Sequence, residues 1–302
     1  MNFEIYQAAR EKCVQRSMNH WGRFRVTGAD AAALLHHLTT NDVKKLRSGN
    51  SLDAALITSK GRLLDFLTIF RDTSGFTVLT APNRRTAFAP HAKQFILYRQ
   101  EITIEDVSAN GVWIGLFGPQ AEAALRERGL EIPEGNAIAQ TAEVSVARTN
   151  RLPGGGFFVW SKSDFSFDVP YCDNETFNIL RIEEGIPVAG LEVVDTFNPW
   201  EAGFDNAISL AKGCYNGQEI IARLNTYQKV KQHLRGVKLE SLPAEFPVDL
   251  KAEGKPAGVL SSAAVSPRFG AIGLAYVRSA HETGATLQAG DQTATVVALP
   301  FE

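Results

Sequence analysis

Hydrophobic and polar positions follow two different periods along the first two thirds of the chain. Arg23 to Thr27 alternates with period two and predicts a short strand, and Ala29 to Leu38, rich in alanine and leucine, predicts a helix whose start is marked by Thr27 and Asp30. Leu52 to Thr58 and Leu63 to Phe70 are apolar runs joined by Ser59, Lys60 and Gly61, the pattern of a hairpin. A strand is expected over Phe76 to Thr80 and a helix over Arg84 to Leu97. The strand Val112 to Phe117 precedes a helix opened by Pro119 and closed by Gly129, with proline inside the start and glycine just past the end. Phe157 to Trp160 reads as a strand after the Gly154 to Gly156 turn, and Asn174 to Glu184 as a helix that stops before Gly185 and Pro187.

From about Gln232 the pattern changes. Arg235 to Leu239, Ala257 to Leu260, Ile272 to Val277 and Thr293 to Leu299 are short β-type runs separated by Gly, Pro and Asp, so a small all-β unit is expected over residues 230–302. Interleaved strands and helices before it, over residues 1–229, imply an α+β class with antiparallel sheets.

One octet gathers candidate chemistry within eight residues. Lys212 to Glu219 reads KGCYNGQE, and Asn216 with Glu219 three residues on, ahead of Ile220 and Ile221, predicts a capping box and a helix beginning at Asn216. Gly213 and Gly217 let the backbone bend or approach a ligand. Cys214 would then lie just upstream of a helix N-terminus, beside the Lys212 ammonium, where a thiolate is favoured. A nucleophile or soft-metal ligand is the chemical expectation, with Lys212, Gln218 and Arg223 as candidate helpers. A small buried cysteine beside an ordinary loop is the alternative.

Composition narrows the class. Of 302 residues 44% are hydrophobic and 21% charged, the profile of a soluble globular protein of two or three domains. The net charge of −2 provides no global field for nucleic acid or anionic membrane. Between Lys212 and Glu240, however, Lys212, Arg223, Lys229, Lys231, Arg235 and Lys238 face only Glu219 and Glu240, which leaves a solvated face or an RNA- or anion-binding surface open. Cys13, Cys172 and Cys214 are odd in number and far apart, which argues against a disulfide framework and for a reducing, cytoplasmic setting. With no CxxC or HExxH, a resident zinc or iron-sulfur site is not expected. No stretch approaches the length of a membrane span.

The octet resembles the signature of the YgfZ-type folate-binding proteins of iron-sulfur cluster assembly, relatives of the glycine-cleavage aminomethyltransferases. VTGADAAALLHHLTTNDV from Val26, SKGRLLDFLTIFR from Ser59, RIEEGIPVAG from Arg181, NPWEAGF from Asn198 and AIGLAYVR from Ala271 resemble further motifs of that superfamily, so the likeness spans nearly the full chain. It implies two ferredoxin-like α+β subdomains around a central folate cavity, followed by a C-terminal β-barrel. It implies tetrahydrofolate as cofactor, with Trp21, Phe177 and Glu201 as its contacts. A flat pterin stacks well on aromatic faces, and its paired N–H donors suit a carboxylate. Plain core packing is the alternative for Trp21 and Phe177, and cap duty for Glu201.

The resemblance further implies an accessory factor for iron-sulfur enzymes, including tRNA-modifying ones, with those client enzymes or assembly proteins as partners and Cys214 as its thiol. A folate-dependent aminomethyltransferase of glycine cleavage shares the fold. In that branch the helix after Phe76 to Thr80 opens with a motif ending in an essential aspartate, a place taken here by Ala87. Its absence argues against aminomethyl transfer, since general acid-base help of about 100-fold would be missing. A non-catalytic tRNA- or protein-binding module acting through the basic run is the remaining alternative.

Overall fold

A computed structural model describes residues 1–227 and 229–302 of the chain. The path opens with α1 (Phe3–Glu11), β1 (Val14–Ser17), β2 (Arg23–Thr27), α2 (Ala31–Leu38), β3 (Asn50–Ile57), β4 (Leu63–Asp72), β5 (Gly75–Leu79) and α3 (Arg85–Lys93). It continues through β6 (Thr103–Asp106), β7 (Val112–Phe117), α4 (Ala121–Glu127), β8 (Ile138–Gln140), β9 (Val144–Thr149), β10 (Gly156–Ser161), α5 (Asn174–Glu184) and α6 (Gln218–Thr226). Six strands follow: β11 (Gln232–Leu239), β12 (Val248–Ala252), β13 (Lys255–Ser266), β14 (Gly270–Arg278), β15 (Thr286–Ala289) and β16 (Gln292–Val297).

The strands form two five-stranded sheets, ordered β3-β4-β5-β2-β6 and β1-β7-β10-β9-β8, and a closed barrel ordered β11-β14-β13-β12-β15-β16. Closure leaves the terminal unit without a free sheet edge. The β3–β4 hairpin forms as the sequence implies, and its register sets Asp53 opposite Thr68 and Leu56 opposite Asp65. The central core takes Trp21 and Leu63 from the first sheet region, Phe158 from the second, Ile179 from α5 and Tyr276 from the barrel.

Buried polar groups fasten α5 to the barrel. Glu183 accepts from Tyr6 Oη at 2.7 Å and from Ser266 Oγ at 2.5 Å, and also pairs with Arg10. Arg181 Nη1 lies 3.1 Å from Glu192 Oε2, and Ser262 donates to Glu192 Oε1 at 2.6 Å. Buried carboxylates with cation and hydroxyl partners satisfy the hydrogen-bonding demand that burial imposes.

Several expected boundaries move, for identifiable reasons. Asp30 flanks α2, but its side chain accepts from Glu101 N instead of capping the helix. The helix expected over Arg84 to Leu97 ends at Lys93: Pro90 removes a donor within it, and Leu97 and Tyr98 are exposed, with no apolar face to bury. Among the described residues no helix is long and apolar enough to cross a membrane.

Candidate functional site

A cavity of about 720 Å³ is lined by residues from both sheets, α5 and the loops that follow it. Its aromatic wall includes Trp21, Phe66, Phe177 and Phe204, with Phe66 and Phe204 stacked at 4.0 Å between centroids. Trp21 and Phe177, both expected from the sequence, therefore do face one space. Arg16, whose guanidinium carbon lies 4.3 Å from the Phe177 ring centroid, and His20 line the same space.

A second charged group lies deeper in the chain's own logic and was not anticipated. Asp53 and Asp65 come from the β3–β4 hairpin, and Arg151 comes from the β9–β10 turn of the other sheet; all three line the cavity. Thr68 joins them, donating to Asp53 Oδ1 at 2.6 Å while its hydroxyl oxygen accepts from Arg151 Nη1 at 3.1 Å. Asp65 is almost fully buried and accepts from the backbone N–H of Phe66 at 2.8 Å and, more weakly, from that of Ala81. Burial pushes the Asp65 carboxyl up to about 6, against the opposing pull of Arg151, those two N–H groups and Arg84. Asp53 is raised by burial as well, opposed by Arg151 and Thr68.

This changes the reading of Ala87. That residue is exposed on α3 and does not line the cavity, whereas Asp53, Asp65 and Glu184 do. The cavity therefore has carboxylates of its own, contributed by the β3–β4 hairpin and α5 and not by α3.

Glu201 also departs from expectation. It does not line the main cavity but a neighbouring one of about 530 Å³, which shares Gly203 and Leu234 with the first. Its carboxylate accepts from Asn198 N at 2.9 Å and Gln232 Nε2 at 3.2 Å, while its own N–H donates to Asn198 Oδ1 at 3.1 Å. The reciprocal pair with Asn198 closes the NPWE turn, and this local bonding fixes the side chain away from the cavity. Burial raises its carboxyl, and the Asn198 N–H, Gln232 and Arg62 oppose that rise.

The octet folds differently from the capping box read in the sequence. α6 begins at Gln218, and its flanking residue is Gly217 at φ +77°, with no side-chain cap. A side chain there would also collide with the Thr58 carbonyl, so glycine is required twice over. Asn216 instead donates from its backbone N–H to His37 O at 2.8 Å. Lys212 does not lie free beside a thiol: it is buried, and its ammonium donates to the carbonyls of His36 (2.6 Å), Thr39 (2.6 Å) and Asn41 (2.8 Å). The octet thus caps the carboxyl end of α2, where unpaired carbonyls and the helix dipole favour a cation. Burial pushes the Lys212 ammonium down to about 7, yet three carbonyl acceptors all require its proton, so the charged form is the one the cage holds.

Cys214 is exposed, unlike the buried Cys13 and Cys172. It does not line the cavity. Gln218 is half-buried and Arg223 exposed on α6, and neither lines the cavity. The structure accordingly brings Trp21 and Phe177 together with Asp53, Asp65 and Arg151, and sets Cys214, Lys212, Gln218 and Arg223 apart from them. Among the described residues no group of three or more His, Cys, Asp or Glu side chains could hold a metal ion.

The sequence held a signal for two of the missed residues. Asp53 and Asp65 are charges inside otherwise apolar strand runs, and a buried charge there requires partners. Arg151 sits in a turn, where an arginine attracts no notice.

Known proteins share this architecture. Residues 4–133 match the family described as the GCVT N-terminal domain. A putative chloroplastic transferase of Arabidopsis thaliana is 28% identical, covering 93% of this chain and 69% of that protein. An aminomethyltransferase of Koribacter versatilis is 27% identical, covering 86% and 75%. The crystal structure of the glycine cleavage system aminomethyltransferase T from Bartonella henselae superposes with a TM-score of 0.83 over 99% of this chain and 89% of that one, at 20% identity, a likeness of fold. Residues 4–133 are thus similar to the GCVT N-terminal domain, and nearly the whole chain is similar to proteins named aminomethyltransferase, at 27% identity or a little below.

Proposed function

We propose that the protein binds tetrahydrofolate in the cavity and serves as an accessory factor in the assembly or repair of iron-sulfur enzymes, with Cys214 as its reactive thiol. The two five-stranded sheets are read as ferredoxin-like subdomains around that folate site. The residues present fit the cofactor. Trp21, Phe66 and Phe177 offer flat faces to a pterin or aminobenzoyl ring, Asp53 and Asp65 offer acceptors to ring N–H donors, and Arg16 with His20 suits an anionic tail. Bound tetrahydrofolate would supply a carrier for one-carbon units. This chain's residues would orient it and exclude water.

The observation that carries the accessory role is the separation of the thiol from the cavity. Cys214 is exposed, on a segment pinned to α2 by Lys212 and Asn216, and lies outside the cavity lining. A small substrate held against Asp65 does not engage a thiol placed in that way, whereas a macromolecular partner does. Iron-sulfur client enzymes fit this role, tRNA-modifying ones among them. Cys214→Ala in cells, scored by a radical-type tRNA methylthiolase, tests it: a fall in activity is expected, and undiminished activity refutes it.

One observation favours a second reading, folate-dependent aminomethyl transfer. Asp65, raised to about 6 within the cavity, can hold or release a proton near neutral pH. Formation of methylenetetrahydrofolate from an aminomethyl donor by the purified protein, lost in Asp65→Asn, would establish this activity.

A further inference from the structure

We propose that Arg151 is the specificity-determining residue of the cavity: held by Thr68 and within reach of two aromatic faces, it keeps Asp53 and Asp65 available as acceptors and so selects a planar ring that donates hydrogen bonds. This rests on the folate reading and sharpens it.

Arg151 reaches across the cavity. It belongs to the β9–β10 turn of one sheet, while Asp53, Asp65, Phe66 and Thr68 belong to the hairpin of the other. Its guanidinium carbon lies 4.6 Å from the Trp21 ring centroid and 5.1 Å from that of Phe66, both within cation–π distance. Among the described residues only Nη1 finds a protein acceptor, the Thr68 hydroxyl at 3.1 Å. Among the described residues no carboxylate lies within 4.0 Å of its nitrogens, so the guanidinium is not consumed by an ion pair. Its remaining donors, in a rigid planar fork, are left for a ligand.

Electrostatics gives Arg151 a second task. Asp53, Asp65 and Glu184 line the cavity; Glu184 is paired with Arg10, and burial works to neutralise the two aspartates. The groups facing Asp65 are Arg151 and Arg84 among the cations, and the N–H groups of Phe66 and Ala81 among the neutral donors; those facing Asp53 are Arg151 and Thr68. Arg151 is the cation the two acids share. Without it both would move toward the protonated form, which presents a donor where a ring N–H needs an acceptor. A lysine would restore charge but not the planar fork or the stacked face.

Two variants separate these tasks. In Arg151→Met, the Asp65 carboxyl, followed by ¹³C NMR titration of aspartate-labelled protein, should titrate well above its wild-type position, and 5-formyltetrahydrofolate should bind at least about 10-fold more weakly at pH 7. Arg151→Lys should leave the Asp65 titration near wild type yet still bind about 10-fold more weakly. Near-UV circular dichroism checks that both fold. An Asp65 titration unmoved in Arg151→Met, or wild-type affinity in both variants, overturns the proposal. If wild-type protein binds neither folate nor free pterin, ring selection falls together with the folate reading, while the Asp65 titration still decides whether Arg151 governs that carboxyl.

Discussion

Lys212 and Arg151 are both cations withdrawn from water, and their surroundings show what each is for. Lys212 is buried, and its three donors are all spent on carbonyls at the end of α2. Arg151 is half-buried, commits one nitrogen to Thr68, and faces two carboxylates and two rings in an open cavity. A saturated cation is a fastener, since nothing of its chemistry remains for a ligand. An unsaturated one, held among acceptors and aromatic faces, is a recognition group.

The sharpest way to break this contrast is Lys212→Met. It strands three carbonyls at a buried helix end, and unfolding in urea should show a loss of about 3–5 kcal/mol. A loss below about 1 kcal/mol would mean the cage is ornamental.

Asp65→Asn sharpens the other side. The folded-state carboxyl is raised above its ordinary value of 3.8 to about 6, so its contribution to stability is present below about 4 and lost as pH rises through about 6. The variant should therefore match wild type at low pH and exceed it by on the order of 3 kcal/mol at pH 8. Folate affinity should fall at the same time. Thermal denaturation at two pH values, with a binding titration, checks both, and a variant less stable than wild type at pH 8 would overturn the burial penalty assigned to the Asp65 carboxylate.

Glu201→Ala addresses a carboxylate expected in the cavity and found in a turn. It should cost about 1–3 kcal/mol through the loss of the Asn198 and Gln232 bonds, with folate affinity changed by less than about threefold. A large affinity loss with intact stability would return Glu201 to the ligand. Cys214→Ser should have the smallest physical effect: as an exposed side chain it should alter stability by less than about 0.5 kcal/mol and leave folate binding intact. Support of iron-sulfur enzymes in cells should nevertheless fall, and a parallel loss of folate affinity would join two sites that the structure keeps apart.

Much of the α+β frame was legible because local pattern and burial agree there. The hairpin strands over Leu52 to Thr58 and Leu63 to Phe70 appear as β3 and β4, and α5 spans Asn174–Glu184 as its start and stop signals indicate. Short or charged elements such as α1, β6 and β12 were not legible, since a few residues carry too little periodicity. Trp21 and Phe177 were readable as cavity residues only through resemblance. Asp53 and Asp65 could have been suspected as charges in apolar strands, but Arg151 could not.

The sequence by itself determined where apolar strands and helices run, that the tail turns to short β runs, and that one octet concentrates a lysine, a cysteine and two glycines. It determined these because periodicity, capping and composition act over a few neighbouring residues. Only the tertiary structure decided that the Lys212 ammonium closes the end of α2 rather than facing Cys214, that Glu201 serves its own turn, and that Asp53, Asp65 and Arg151 meet around one space. Those outcomes depend on which sheet edges and helix ends come together. Long-range packing sets that, and it decides which polar groups burial leaves in need of partners.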